Sequence, residues 1–200
     1  MIKVAEVLLE GARVKLIPLD LSHVGELYRA IDSPDIWTYL PCRMENVEDM
    51  ANHVIEAIQA KKQGTVMPFV VLDKRTNTIV GMTRLQDISV EDKSLEIGYT
   101  WYSTAVWRTS VNTECKYLLL KYCFEEVKTN RVQFRVDRRN ERSNQAVLRI
   151  GAQYEGTFRK DRILYNGYVR DTVFYSIIDE DWPEVKNRLH DLLTVRYLKT

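Results

Sequence analysis

The chain has 200 residues, of which 45% are hydrophobic and 28% charged, and its formal net charge at pH 7 is +1. These values are typical of a globular domain with a sizeable core, and they argue against a global charge that attracts nucleic acid or anionic membranes. The sequence has no signal-peptide pattern and no run of 18 apolar residues, so we expect a cytoplasmic protein without membrane contact.

Alternating apolar residues predict strands at four places in the first half of the chain, residues 14–19, 66–72, 78–88 and 94–103. Helical periodicity predicts a helix that Asp20 caps and Ser33-Pro34 ends, and a second helix from about 47 to 62. The mixed segment 35–43 between them carries aromatic residues. The middle of the chain is therefore predicted to be a three-stranded meander.

Residues 107–127 join a polar loop to a helix whose apolar residues cover more than half of its circumference. This breadth indicates a helix pressed on a sheet. A helix start has unpaired backbone N–H groups and about half a positive charge, so the loop before it is suited to a phosphate or pyrophosphate. The alternative is an ordinary N-cap by Ser110, Asn112 or Thr113, which the local residues alone favour.

The last third of the chain predicts a half-buried strand at 131–136 and a helix from about 141 to 150 that ends at Gly151. A hairpin, with strands at 153–164 and 168–178, is predicted to turn at Asn166-Gly167. A final helix should span about 182–198, and its apolar face suits either the core or a homodimer. No linker or repeat interrupts this order, so residues 1–200 are interpreted as a single domain.

The cysteines and histidines give little sign of disulfide or metal chemistry. Cys42, Cys115 and Cys123 are odd in number, and the last two lie about 12 Å apart on one predicted helix, too far for a disulfide. They are expected to be reduced core thiols. The three histidines lack ligand spacing, and no metal site is predicted.

Short motifs follow one another in a fixed order along nearly the whole chain. They are Glu10-Gly11-Ala12-Arg13-Val14-Lys15-Leu16, Glu96-Ile97-Gly98, residues 107–114, Asn140-Glu141-Arg142-Ser143, Gly151-Ala152 with Glu155-Gly156, and residues 170–176. In this order the chain resembles the GCN5-related N-acetyltransferase superfamily, in the branch of the ribosomal-protein alanine N-acetyltransferases. The resemblance implies an α/β (α+β) fold with a twisted, mostly antiparallel mixed sheet, splayed between strands 4 and 5 and flanked by helices.

The resemblance also implies an enzyme. Its reaction is acetyl transfer from acetyl-CoA to a primary amine, either a protein N-terminal α-amine or a small-molecule amine, by direct attack in a ternary complex. The alternative is a non-catalytic acyl-CoA-binding protein of the same fold. Three departures motivate it: Ser110 where the branch has glycine, Val147 where many members have tyrosine, and Arg162 where some relatives have an acid.

The resemblance places the acetyl-CoA site at the splay. It implies cofactor contacts for Thr100, Trp101, Tyr102, Trp107, Arg108, Thr109, Ser110, Val111, Asn112, Thr113, Asn140 and Ser143. Ser110 adds a Cβ where glycine would take a positive φ cheaply, so weaker binding is one expectation, and a hydroxyl bond to a phosphate oxygen is the other. Arg108 is the expected phosphate partner among Arg108, Arg138, Arg139 and Arg142. Asn140 is expected to contact the pantetheine arm, to cap a helix, or both.

The catalytic residues expected from the resemblance are Glu96 and Ser143. Glu96 would accept the proton of the amine, directly or through water, with Asp87 and Asp161 as weaker candidates and a salt-bridged carboxylate as the alternative. Ser143 would contact the leaving thiolate, and its alternative is a structural serine. Trp37 and Tyr39 are expected to wall the acceptor channel, although aromatic core is the favoured interpretation for at least one of the aromatic residues predicted there.

Overall fold

The computed structural model describes residues 3–196, with side chains to Thr194. Its strands are β1 (Leu9–Glu10), β2 (Val14–Pro18), β3 (Met67–Asp73), β4 (Thr78–Ser89), β5 (Ser94–Tyr102), β6 (Arg131–Asp137), β7 (Gln153–Ile163) and β8 (Val169–Ile178). Its α-helices are α1 (Val24–Arg29), α2 (Val47–Lys62), α3 (Val111–Lys121), α4 (Glu141–Arg149) and α5 (Trp182–Asp191). Within the described residues, no helix is long and apolar enough to cross a membrane.

The strands form one sheet in the order β1-β2-β3-β4-β5-β6-β8-β7, antiparallel except for the pair β5 and β6. The predicted fold class is therefore confirmed. The two-residue strand β1 was not predicted, because two residues are too few to show alternation. Because β1 precedes the first predicted strand, the strands predicted as the fourth and fifth are β5 and β6 of the structure.

The helices depart from the predictions mainly at their ends. A 3₁₀ turn at Leu21–His23 precedes α1, and Asp20 caps it as expected. The helix α3 starts at Val111 and continues as π-helix over Tyr122–Val127. A similar extension, Leu192–Arg196, follows α5, and the last residues of the helix expected to reach 198 lie outside the described residues.

Two apolar cores lie on opposite faces of the sheet. The larger core combines residues of α3 and α5 with one face, including Leu119 and Leu189. The smaller core combines α1 and α2 with the other face, including Leu27 and Met50. Burial on both faces explains why β3 is almost continuously apolar.

The start of α3 is tied to the hairpin of β1 and β2 by Glu114. Its carboxylate accepts backbone N–H bonds from Ala12 at 2.8 Å, Arg13 at 2.9 Å and Val14 at 2.7 Å. A Cβ at Gly11 would lie 2.6 Å from Glu114 Cδ, so the hairpin needs glycine there to let the carboxylate approach. This contact fixes the loop before α3 relative to the sheet.

The sheet opens between β5 and β6. These strands pair only over Ser94–Glu96 and Arg131–Gln133 and then separate. A β-bulge in β5 adds to this, because Tyr99 has a φ of 51° and the register with β4 shifts beside it. The edge of β5 beyond Glu96 consequently faces a gap instead of a neighbouring strand.

Candidate functional site

A cleft of about 780 Å³ occupies this gap between β5 and β6. Its walls are the open edge of β5, the loop before α3, the first turns of α3, the outer half of β6 and the inner face of α4. Nine of the twelve residues predicted to contact acetyl-CoA line this cleft: Thr100, Trp101, Tyr102, Trp107, Arg108, Thr109, Asn112, Asn140 and Ser143. The other three, Ser110, Val111 and Thr113, are buried behind its surface.

The loop before α3 is held in shape by its own side chains. The indole Nε1 of Trp107 donates to Tyr102 O at 3.0 Å, and Thr109 Oγ1 donates to Val106 O at 2.7 Å. The residue with a positive φ is Arg108, at 62°. The chain turns at Arg108, and this turn aims the start of α3 at the cleft.

Ser110 has a φ of −70° and a ψ of −12°, which any L-residue adopts. Its side chain is buried and turned away from the cleft, and its hydroxyl accepts a hydrogen bond from Arg13 Nη1 at 3.4 Å. Arg13 in turn pairs with Asp73 at 2.9 Å. Glycine's conformational freedom is therefore not required at position 110, and the added Cβ does not narrow the cleft.

The first turn of α3 offers two free backbone donors. Val111 N donates to Thr109 Oγ1 at 3.4 Å, and Glu114 N donates to Ser110 O at 2.9 Å. The N–H groups of Asn112 and Thr113 have no acceptor among the described residues. Free donors at a helix start, together with the helix dipole, suit an anionic group.

Two guanidinium groups stand beside this helix start. Arg142 of α4 lies over the Trp107 ring, with Cζ 3.5 Å from the ring centroid. Partial burial lowers the pKa of Arg142, and the nearby positive charge of Arg108 lowers it further. Two cations this close to each other favour an anion between them. By contrast, Arg138 and Arg139 pair with Asp171 and Asp137.

Glu96 lies on β5 where the strands separate, and it is 3% exposed. Gln86 Nε2 donates to its Oε1 at 2.9 Å. Arg135 Nε lies 2.8 Å from its Oε2, although the N–H is not aligned for a hydrogen bond. Burial raises the pKa of Glu96, and the Arg135 charge lowers it by less. The carboxyl is thus a stronger base than an exposed glutamate.

Glu96 is not on the cleft surface itself, but Gly98 is. A Cβ at position 98 would lie 2.4 Å from Glu96 Oε1 and 2.8 Å from Gln86 Nε2. The glycine of the Glu96-Ile97-Gly98 motif is therefore required by close approach, and the carboxyl lies directly against a residue that lines the cleft. The weaker candidates lie elsewhere: Asp87 pairs with Arg135, and Asp161 accepts from Thr172 Oγ1 at 2.7 Å and pairs with Arg162.

On α4, Asn140 caps the helix, because its Oδ1 accepts from Ser143 N at 3.1 Å. Ser143 is half-buried and lines the cleft, and its hydroxyl makes no hydrogen bond to another described residue. Val147, where the resemblance leads one to expect tyrosine, is buried and also lines the cleft. The α4 wall thus presents one hydroxyl and no phenol.

At the opposite mouth of the cleft, Tyr39 lines the wall together with Arg170. The other aromatic residue predicted there, Trp37, is in the core: it is 1% exposed and packs against Trp101 with ring centroids 5.4 Å apart. Arg170 Nη1 donates to Tyr39 O at 3.5 Å and Arg170 Nε to Thr172 Oγ1 at 3.0 Å. This mouth was only partly predicted, because pairing between such distant segments leaves no local pattern.

Lys116 lines the cleft and was not singled out from the sequence. It lies on the buried face of α3, and its Nζ donates to Thr100 Oγ1 at 3.3 Å. The signal was present, because Lys116 precedes Leu120, Cys123 and Val127 at helical spacing and thus occupies a core-facing position. Burial lowers its pKa to about 8.

The acetyltransferase (GNAT) domain model matches residues 13–153. The "Putative ribosomal N-acetyltransferase YdaF" of Bacillus subtilis is 32% identical over 105 residues, which cover 52% of this chain but only 56% of that protein. A putative acetyltransferase from T. thermophilus superimposes with a TM-score of 0.86 at 34% identity, covering 96% of this chain and 100% of the other. A GCN5-related N-acetyltransferase from Brucella melitensis gives 0.89 at 26% identity, covering 97% and 88%.

Proposed function

The chain belongs to the acetyltransferase (GNAT) family, and on this premise we propose that it transfers the acetyl group of acetyl-CoA to a primary amine. The family is one of acyltransferases that use acetyl-CoA, which is here a substrate. One observation carries the proposal: the open edge of β5 and the start of α3, where the N–H groups of Asn112 and Thr113 are free, border the same cleft. A strand edge suits the amide groups of a pantetheine arm, and a helix start suits its pyrophosphate.

On this proposal Arg108 and Arg142 hold the phosphates from either side, in addition to the helix start. The pantetheine arm runs along β5 past Thr100 to Tyr102, between that edge and α4. A backbone N–H of this stretch polarises the thioester carbonyl. Alignment of amine and carbonyl in the cleft supplies much of the rate, since the thioester is already activated.

The attacking amine has to lose a proton, and we assign its removal to Glu96 acting through water. The position of the carboxyl against Gly98, off the cleft surface, supports a relay, and burial raises the pKa of Glu96. A raised pKa makes Glu96 a better base. Ser143 is proposed to contact the acyl-CoA chain near the sulfur, because its hydroxyl is on the cleft wall and unengaged.

The acceptor is proposed to be a protein N-terminal α-amine. The support is the B. subtilis relative, whose name describes it as a ribosomal N-acetyltransferase. An α-amine titrates near pH 8, and thus needs less help from a base than a lysine near 10.4. A cytoplasmic location and the absence of a nucleic-acid or membrane partner remain predictions.

The test is acetylation of a panel of peptides with free N-termini and of small amines, followed by mass spectrometry. The matched control is each peptide with its N-terminus already blocked. We expect a mass gain of one acetyl group on the free peptide only, and a loss of that gain with Glu96→Gln. Acetylation of blocked peptides at lysine would contradict the α-amine assignment, and no acetylation of any amine would contradict the proposed reaction.

A further inference from the structure

The ammonium group of Lys116 lies in the cleft and has almost no hydrogen-bond or ion-pair partners there. Its side chain is 7% exposed, and among the described residues no carboxylate lies within ion-pair distance of Nζ. Within this part of the chain its one hydrogen bond is to Thr100 Oγ1, which in turn bonds Thr83 Oγ1 at 2.7 Å. An ammonium has three donors, so two N–H groups remain for whatever occupies the cleft.

Lys116 lies at the bottom of the cleft, between β5 and β6. Nζ lies 5.6 Å from the centroid of the Phe134 ring on β6 and within hydrogen-bond distance of Thr100 on β5. It therefore lies between the two strands on the α3 side, while Glu96 belongs to the other side of β5, with Gln86 and Arg135. The two groups lie on opposite sides of the gap in which the acyl chain is proposed to lie.

From this arrangement we infer that Lys116 donates a proton to the sulfur of coenzyme A when the thioester is cleaved. The inference rests on the proposed function, since it needs acetyl-CoA in this cleft. In the step, the amine nitrogen bonds to the acetyl carbon, the carbon–sulfur bond breaks, and its electron pair stays on sulfur. Lys116 Nζ gives one proton to that sulfur, and the amine nitrogen gives one to Glu96 through water. Exchange with solvent then restores both groups.

The acidity of Lys116 fits this role. Burial lowers its pKa to about 8, close to the value of about 8.5 for an ordinary thiol, so proton transfer between them is nearly balanced. The titratable groups whose charges act on Lys116 are Cys115, the preceding residue of α3, and Glu96, across β5, and both raise the pKa of Lys116 by less than burial lowers it. The Cys115 thiol, whose pKa burial raises to about 12, stays neutral.

The inference is tested on complexes with free coenzyme A, which needs no acceptor. Calorimetry first gives the dissociation constant for the wild type, Lys116→Met and Lys116→Arg, and thermal unfolding shows that each variant is folded. Ultraviolet absorbance of the thiolate is then titrated against pH in each complex. Desulfo-coenzyme A, which has no thiol, provides the baseline.

In the wild type we expect the thiol pKa of bound coenzyme A to fall by at least one unit, a tenfold shift. Lys116→Met should return it to the value of the free thiol, while Lys116→Arg, which keeps the charge, should retain most of the shift. A thiol pKa that is the same in wild type and Lys116→Met would overturn the inference and leave the proposed function standing. A thiol shift without turnover of any amine would overturn the proposed reaction, and the inference with it, while showing that Lys116 contacts the coenzyme A thiol. A wild type that does not bind coenzyme A would overturn both.

Discussion

Glu114 and Lys116 lie two residues apart on α3, carry opposite charges, and are each 7% exposed. Two residues correspond to a rotation of about 200°, so their side chains point to opposite sides of the helix. Glu114 accepts three backbone N–H bonds from the hairpin of β1 and β2. Lys116 faces the cleft and has one hydroxyl as its partner among the residues that the structure describes. When the chain itself supplies the hydrogen-bond partners of a buried charge, as for Glu114, the contact helps to hold the fold. When a buried charge lacks such partners, as for Lys116, a bound ligand can supply them.

Removing Glu114 should have the largest effect on stability. Glu114→Ala leaves the N–H groups of Ala12, Arg13 and Val14, the last of them buried, without their acceptor, and we expect the free energy of unfolding to fall by about 3–5 kcal/mol. Urea denaturation measures this. The control is Glu126→Ala, at an exposed position in the π-helical extension of α3. This variant should change stability by less than about 0.5 kcal/mol. Equal losses in both variants would show that the three N–H bonds are not what anchors α3.

Lys116→Met should do the opposite and stabilise the protein. The pKa of Lys116 is about 8 in the folded state and near its ordinary value of 10.5 in the unfolded state. At pH values between these two, the unfolded state binds a proton that the folded state does not. The wild type therefore loses stability as pH falls through this window, by at most about 3 kcal/mol. We expect Lys116→Met to gain about 1–3 kcal/mol at pH 7 and nothing above pH 11, as measured by urea denaturation at both values. A less stable variant at pH 7 would mean that the ammonium is well satisfied within the chain.

Glu96→Gln tests the buried carboxylate on the other side of the gap from Lys116. The amide keeps the shape and the partner Gln86 but cannot accept a proton, so we expect kcat to fall by about 10²-fold. In the wild type, the raised pKa of Glu96 places the rising limb of kcat above the usual range for glutamate, because the base works only when ionised. That limb should be absent in Glu96→Gln. An unchanged pH profile in the variant would remove Glu96 from the mechanism.

Ser110→Gly should have the smallest effect. Since the Ser110 side chain contacts Arg13 and not the cleft, and its φ is −70°, we expect the affinity for acetyl-CoA to change by less than about twofold, that is by under 0.5 kcal/mol. Calorimetry with both proteins checks this. A tenfold gain in Ser110→Gly would show that the serine restricts the site after all.

The fold and the location of the cleft were predictable because they leave local patterns. The strands of the meander alternate, the helix α3 is broadly apolar, and Asn166-Gly167 marks the last hairpin. The side-chain directions were less predictable. Ser110 and Trp37 turn away from the cleft because of contacts with Arg13 and Trp101, which are 97 and 64 residues away along the chain.

For Lys116, the sequence shows the direction of the side chain but not its neighbours. A lysine on the apolar face of a helix is a visible anomaly in the sequence, yet an isolated anomaly does not tell which group it meets. Only the separation of β5 from β6, beside Thr100 and Phe134, gives it a place next to the proposed acyl chain. Charged residues at core positions are therefore worth noting even where no motif includes them.

The most direct test of the central claim is calorimetric titration of acetyl-CoA into the wild type and into Asn112→Glu. The substitution puts a carboxylate beside the free N–H groups at the start of α3, where the pyrophosphate is proposed to bind. We predict a dissociation constant in the low micromolar range for the wild type, about −8 kcal/mol, and a loss of at least tenfold in Asn112→Glu. Equal binding by both proteins, or no binding by the wild type, would contradict the account.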